Sequence, residues 1–506
     1  MSRTVRTRLL PAIIAFALCL PFAHAQNVEL PDMGSSAGSV LSPDEEARYG
    51  ARMLYELRRV DLVLEDPLID DYILALGYRL VALSERPEQP FTFFVVRSDE
   101  INAFAAPGGY VGIHAGLMHT AESESEVAAV LAHEVAHVTQ RHLVRAYESM
   151  QKATLPIALA MIGAVLASRN ASGDGAEAAV IGGMGLLQQQ AINFTRHNEY
   201  EADRIGIHTL AKAGFEPQAM ADFFARMGRA TRSNNSIEVP EFLRTHPVTA
   251  SRITEAKNRV EAIRRDPTKV LEPAANEARF RLMRERAHVL TSNEPAKLAD
   301  SYRRQLRQAE PGRAASLRYG LALSLLRSGQ ARAALGEFDT LLRDAPNELA
   351  FLIPRAEAQR LAGDAAGALA RLETLAEIAP DHRAVLLAYA EALNATGDKA
   401  HGQRAMAALR PVLAKHGADP TTQAIFARAC ELAGEDARAL EAHAEVALYT
   451  GRPYDAMEQL TRLLERPGID YYQRARVEAR IEELKPYMAE LERQRIRKED
   501  QEQRRG

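Results

Sequence analysis

His133-Glu134-Val135-Ala136-His137 sets two imidazoles four residues apart, and on an α-helix that spacing turns both to one side, where they can share a Zn²⁺ ion. Glu134, beside the first, stands where a general base would take a proton from water at the metal. A pattern of five residues also arises by chance in long chains, so it calls for further ligands. Glu199-Tyr200-Glu201-Ala202-Asp203, downstream on a second expected helix, puts Glu199 and Asp203 on one face and Glu201 well round from them. Glu199 can complete a two-His, one-Glu set with the fourth position open to water. Asp203 can then accept the outer N–H of a ligand histidine and fix its tautomer. Alone, this acidic segment would be a solvated helix face; joined to the histidine pair, it reads as part of a site for one Zn²⁺ per chain.

Those side chains need elements to hold them. Ser42-Pro43-Asp44-Glu45 is a helix start, with a Ser cap, Pro in the first turn and Glu placed to close a capping box. A second helix is expected from about Pro67 to Leu83. Phe91 to Val96 is a β-type run, and Asn102 to Ile113 reads as strand, Pro-Gly-Gly turn, strand. Tyr110, Val111 and Gly112 are the expected edge onto which an extended peptide substrate would add, with ordinary sheet structure as the alternative. A helix from about Ser123 carries the His-Glu segment. Residues 155–167 and 179–187 are apolar but too short to span a bilayer. They read as a helical hairpin packed on the core or serving as a lid, with peripheral membrane contact through 155–187 as the alternative.

His133 to His137, Glu199 to Asp203 and Thr245-His246-Pro247, with Asn102-Ala103-Phe104-Ala105 and Pro107-Gly108-Gly109, together resemble the Ste-type and HtpX-type metallopeptidases over roughly residues 45–265. The resemblance implies Zn²⁺ held by His133, His137 and Glu199, Glu134 as catalytic base, and a mainly helical zincin-like fold with a small sheet. His246 has three readings: stabilising the oxyanion of the transition state, occupying the open zinc position at rest, or capping the helix after Pro247. His114, His119, His142, His197 and His208 lack a comparable constellation and read as structural.

The second half changes character. Gly329, Gly363 and Gly397 are spaced by 34 residues, as are Pro346 and Pro380, and Gly434 follows. Ala334-Leu335, Ala368-Leu369 and Ala439-Leu440 recur after three of these glycines, while Gly402-Gln403 breaks the series. This period, with Gly between paired helices and Pro after them, is the tetratricopeptide signature. Gly451 and Ala456-Met457 come at a half period, which suggests one helix serving two pairs. The expected division is 42–270 metallopeptidase domain, 271–310 helical connector, 311–488 all-α repeat solenoid and 489–506 charged tail.

Ahead of these, 1–25 reads as an export signal: Arg3, Arg6 and Arg8, then an apolar run, then Ala23-His24-Ala25, with cleavage expected after Ala25. Residues 26–41 form a flexible lead-in. Past the signal only Cys430 remains, so no internal disulfide is expected. The 506 residues carry a net charge of −4 with both signs interspersed and no basic stripe, so a nucleic-acid partner is not expected. With signal and repeats added, the arrangement looks like the BepA-type peptidases of the Gram-negative periplasm. That likeness implies substrates among unfolded or stalled outer-membrane proteins, and contact with the outer-membrane assembly machinery through the repeats. The competing expectation is a chaperone or adaptor working through its repeats, its metal centre latent or regulatory.

Overall fold

The computed structural model describes residues 42–149, 195–233, 241–265 and 276–503. The expected signal, lead-in and apolar hairpin at 155–187 lie outside the described residues. Helix α1 (Pro43–Arg59) starts as its sequence dictates: the Glu45 N–H donates to Ser42 Oγ and the Ser42 N–H donates to Glu45 Oε2, closing the capping box. Helix α2 (Pro67–Val81) is capped by Asp66, whose carboxylate is also gripped by both arms of Arg286 at 2.6 and 2.7 Å.

Strands β1 (Thr92–Val96), β2 (Ala103–Ala106) and β3 (Tyr110–His114) make one sheet in the order β1-β3-β2. β3 runs parallel to β1 and antiparallel to β2. Tyr110, Val111 and Gly112 are therefore not an edge. They sit in the central strand, with both backbone sides already paired, and a substrate strand cannot add there. The alternation of side chains identified a strand but not its neighbours, and the edge facing the cleft belongs to β2.

After the short helix α3 (Ala115–Thr120), Ser123 caps α4 (Glu124–Thr139) by accepting from the Glu126 N–H. α4 packs against β2, β3 and α2, and every residue on it except His137 is buried. Helical segments α5 (142–149) and α6 (195–212), then α7 (Gln218–Ser233), α8 (Glu241–Thr245) and α9 (Ala250–Arg264), surround its end. Arg226 of α7 ties into α4 through Glu126, with Nη1 donating to Oε1 at 2.6 Å.

The remaining chain is helical throughout: α10 (Glu277–Thr291), α11 (Pro295–Leu306), α12 (Pro311–Arg327), α13 (Ala331–Asp344), α14 (Leu349–Leu361), α15 (Ala365–Ile378), α16 (Arg383–Asn394), α17 (Lys399–His416), α18 (Pro420–Ala433), α19 (Asp436–Tyr449), α20 (Pro453–Leu464) and α21 (Tyr471–Gln503). From α11 to α21 each helix packs on the next, giving an all-α solenoid. Gly329, Gly363, Gly397, Gly434 and Gly451 make the turns with φ between 70° and 107°, a region costly for any residue with a Cβ. The break in the Ala series has a steric cause. Gly402 stands 34 residues after Ala368, and a Cβ there would come within 2.8 Å of the Ala433 nitrogen, so the helices meet even more closely at this point. α19 packs on both α18 and α20, as every helix of the series packs on its two neighbours.

Three features join the halves. Phe280, Met283, Ala299 and Tyr302, on the expected connector, belong to the same apolar core as Ile73, Leu131 and Phe223. Arg383 of α16 donates to Asp419 at 2.9 Å and reaches Asp70 and Asp71 of α2 at 3.4 Å. Farther along, Tyr55 of α1 meets Tyr449, ring centroids 5.8 Å apart. The charged segment at 489–506 is no separate tail over its described part, since α21 continues to Gln503. No described helix is long and apolar enough to cross a membrane.

Candidate active site

The end of α4 and one face of α6 bring the sequence-predicted residues together. His137 Nε2 lies 3.0 Å from His133 Nε2. Glu199 approaches both, its two carboxylate oxygens 3.4 Å from the respective nitrogens. His246 joins them, with Nδ1 3.2 Å from His133 Nε2 and 3.0 Å from Glu199 Oε1. All four ligand atoms fall within 4.8 Å of one another. Donors about 2.1 Å from a tetrahedral zinc stand roughly 3.4 Å apart, so the spacing suits that ion. Imidazole and carboxylate are also donors that zinc takes readily.

Electrostatics point the same way. Burial opposes charging His133, yet Asp203 and Glu199 outweigh it and push its pKa up to about 10. His137 is largely buried as well, which opposes its charging; it lacks a carboxylate of its own beyond the shared Glu199 and is pushed down to about 3. Glu199 stays well below the ordinary carboxylate range in spite of burial, because the three histidines surround it. The carboxylates of Glu199 and Asp203 thus stabilise one positive charge beside them, while the neutral His137 keeps a free lone pair for a ligand. Glu134 is 1% exposed, and burial pushes its pKa up. The Ala105 backbone and His246 Nε2, at 3.5 Å, approach its carboxylate, but neither oxygen has an aligned hydrogen bond. A buried carboxylate left without a firm partner is costly, and one raised in pKa beside a metal pocket is suited to accepting a proton.

His246 is held stiffly. Phe242 on α8 is fully buried, its ring stacks on the imidazole at 5.0 Å, and its carbonyl accepts the His246 N–H at 2.7 Å. Burying such a side chain contributes about 1.5–3 kcal/mol, enough to hold α8 in place. His246 does not cap the next helix; Thr249 does, accepting from the Arg252 N–H. Asp203 Oδ1 stands 3.0 Å from His133 Nδ1, an ion-pair distance with the N–H off line.

Three participants were not evident in the sequence. Arg252, 2% exposed, forks onto Asp203 at 2.7 and 2.8 Å, reaches Glu199 at 2.9 Å and donates to the Pro247 carbonyl at 2.9 Å. One cation thus orients the carboxylate of Glu199, the partner of His133 and the loop after His246. Despite burial, that fork keeps Asp203 below the usual range. His142, which its sequence context presents as structural, touches His137, Nδ1 to Nδ1 at 2.9 Å. Glu201, which faces away from Glu199, meets the far side of His142 at 3.1 Å.

Beside the cluster runs a cleft of about 340 Å³, lined by Phe104 to Gly108, Glu134, His137, Glu199, Thr245 and His246. Its wall is the edge strand β2. The sequence profile described as Peptidase family M48 matches residues 67–260, which encloses all of these groups. The chain is 40% identical over 349 residues to a Vibrio cholerae protein named "Putative beta-barrel assembly-enhancing protease", covering 68% of this chain and 70% of that one. The chain belongs to peptidase family M48. It is a zinc metalloprotease, and its mainly helical fold with a small sheet and a following solenoid agrees with the sequence reading. The Escherichia coli beta-barrel assembly-enhancing protease is 40% identical over 268 residues, covering 52% of this chain and 54% of the relative. A fission-yeast mitochondrial metalloendopeptidase (Schizosaccharomyces pombe) is 30% identical over 207 residues, 41% of this chain and 55% of its own.

Proposed function

We propose that this metallopeptidase is an endopeptidase of the Gram-negative periplasm that acts on stalled or misassembled outer-membrane proteins. The relatives named for beta-barrel assembly support that setting, as does the export signal read at 1–25. In this reading His133, His137 and Glu199 hold the zinc, and Asp203 and Arg252 orient them. The observation that carries it is the convergence of those three ligand atoms beside a buried, weakly partnered Glu134. Zinc, when bound, polarises the scissile carbonyl and makes water beside it more acidic. Glu134 takes the proton from that water and hands it to the departing amine. β2 is paired on one side only among the described residues, so an extended substrate can add along Ala103 to Ala106 and lie across the cleft. The solenoid supplies a surface for substrates and for the assembly machinery.

Glu134→Gln should leave zinc content and melting temperature unchanged and lower kcat on an unfolded outer-membrane protein by about 10²- to 10⁴-fold. Equal cleavage by the variant would remove Glu134 from the mechanism.

His246 adds a second element. Its Nδ1 fills the fourth corner of the cluster, which supports a resting enzyme held shut and opened when α8 shifts. This keeps the adaptor function compatible with the protease: the repeats can work while the site is closed. His246→Ala should raise basal proteolysis if the residue is a latch. A fall in kcat at unchanged KM would make it a transition-state group instead.

A further inference from the structure

Resting on the ligand assignment above, we propose that His142 and Glu201 form the outer support of His137, a positioning relay Glu201–His142–His137 that sets the affinity of the site for zinc. The geometry admits one proton order. His137 turns Nε2 to the cluster, so its proton is on Nδ1, 2.9 Å from His142 Nδ1. His142 accepts there, which leaves its own proton on Nε2 to donate to Glu201 Oε2 at 3.1 Å. Arg145 Nη1 donates to the same oxygen at 3.1 Å. Both rings are thereby fixed in tautomer and orientation, and His142 is itself 3% exposed.

The backbone is bent to bring His142 there. On an unbroken helix a residue five positions on lies about 140° round the axis, too far to reach His137. α4 instead ends at Thr139, and Arg141 adopts φ 52°, the left-handed region, where a residue with a Cβ is strained. Arg141 is kept in place by an ion pair with Glu46. The two metal-facing histidines therefore have unlike supports. His133 has a carboxylate, Asp203, while His137 has an imidazole with a carboxylate behind it.

The test is zinc affinity, measured on the full chain by competition with a chromogenic chelator, alongside the melting temperature of the metal-free protein. His142→Leu should weaken zinc binding by about 10- to 100-fold. His142→Gln, whose amide can accept from His137 and donate to Glu201, should recover most of that loss. Glu201→Leu removes the far end of the relay and should also weaken binding, which covers the case in which His142→Leu fails to fold. Wild-type affinity in both leucine variants, or a glutamine variant no better than leucine, overturns the relay. His137→Ala separates the two claims. If it keeps wild-type affinity, the ligand assignment fails; if it loses zinc while His142→Leu does not, the relay alone fails.

Discussion

The metal pocket and the solenoid handle charge in opposite ways. Around α4 and α6, His133, Glu134, Glu199, Asp203, His246 and Arg252 are all buried within one cluster. In the solenoid, ion pairs such as Arg480–Glu445 and Arg476–Glu441 bridge neighbouring helices at the surface. There the interior is mostly Ala and Leu, with Val412, Ile425, Met406 and Val477 among them. Buried charges must be matched almost completely or they destabilise the fold, while surface pairs contribute little either way. The first region thus concentrates buried charge where a cation can be held, and the second rests mainly on packing. Arg383 is the exception that links them: it is buried at the start of the third helix pair yet answers both to Asp419, the cap of α18, and to Asp70 and Asp71 of the peptidase helix α2.

Substitution at these sites can break or sharpen the contrast. Arg252→Met should have the largest effect, leaving Asp203 and Glu199 without their cation and costing about 3–5 kcal/mol of stability. Denaturant unfolding of the metal-free protein reads that cost, and zinc affinity should fall with it. Arg383→Met should cost about 3 kcal/mol for the same reason, but zinc affinity should stay at the wild-type value. If it also falls, the two regions are coupled more tightly than their separate charge clusters imply.

Arg383→Met has a pH signature as well. Although burial opposes it, Arg383 and Thr422 hold Asp419 below its ordinary value of 3.8. A carboxylate depressed in this way stabilises the fold above its unfolded pKa and loses that contribution as pH falls through the folded value. The acid limb of the melting curve below about pH 4 should therefore flatten in the variant. Gly402→Leu tests packing without charge. Forcing a side chain between α17 and α18 should cost about 1–3 kcal/mol, read as a lower melting temperature with unchanged zinc binding. Arg480→Met, at a rim pair about a quarter exposed, should change stability by about 1 kcal/mol. A larger loss would show that the surface pairs carry the solenoid after all.

The sequence by itself determined what depends on local periodicity. His133 with His137, and Glu199 with Asp203, share faces because each pair is four apart on a helix, and the structure brings both faces together. The recurring glycines and small residues likewise specified stacked helix pairs, since turns and close approaches are local demands. Tertiary structure decided the rest. It placed β3 between β1 and β2, because strand order depends on how the chain crosses over and leaves no mark in side-chain alternation. It brought His142 under His137 through a left-handed residue that regular spacing would not foresee. It also selected Arg252 from 63 basic residues as the cation of the pocket, a choice made by distance in space between α6 and α9.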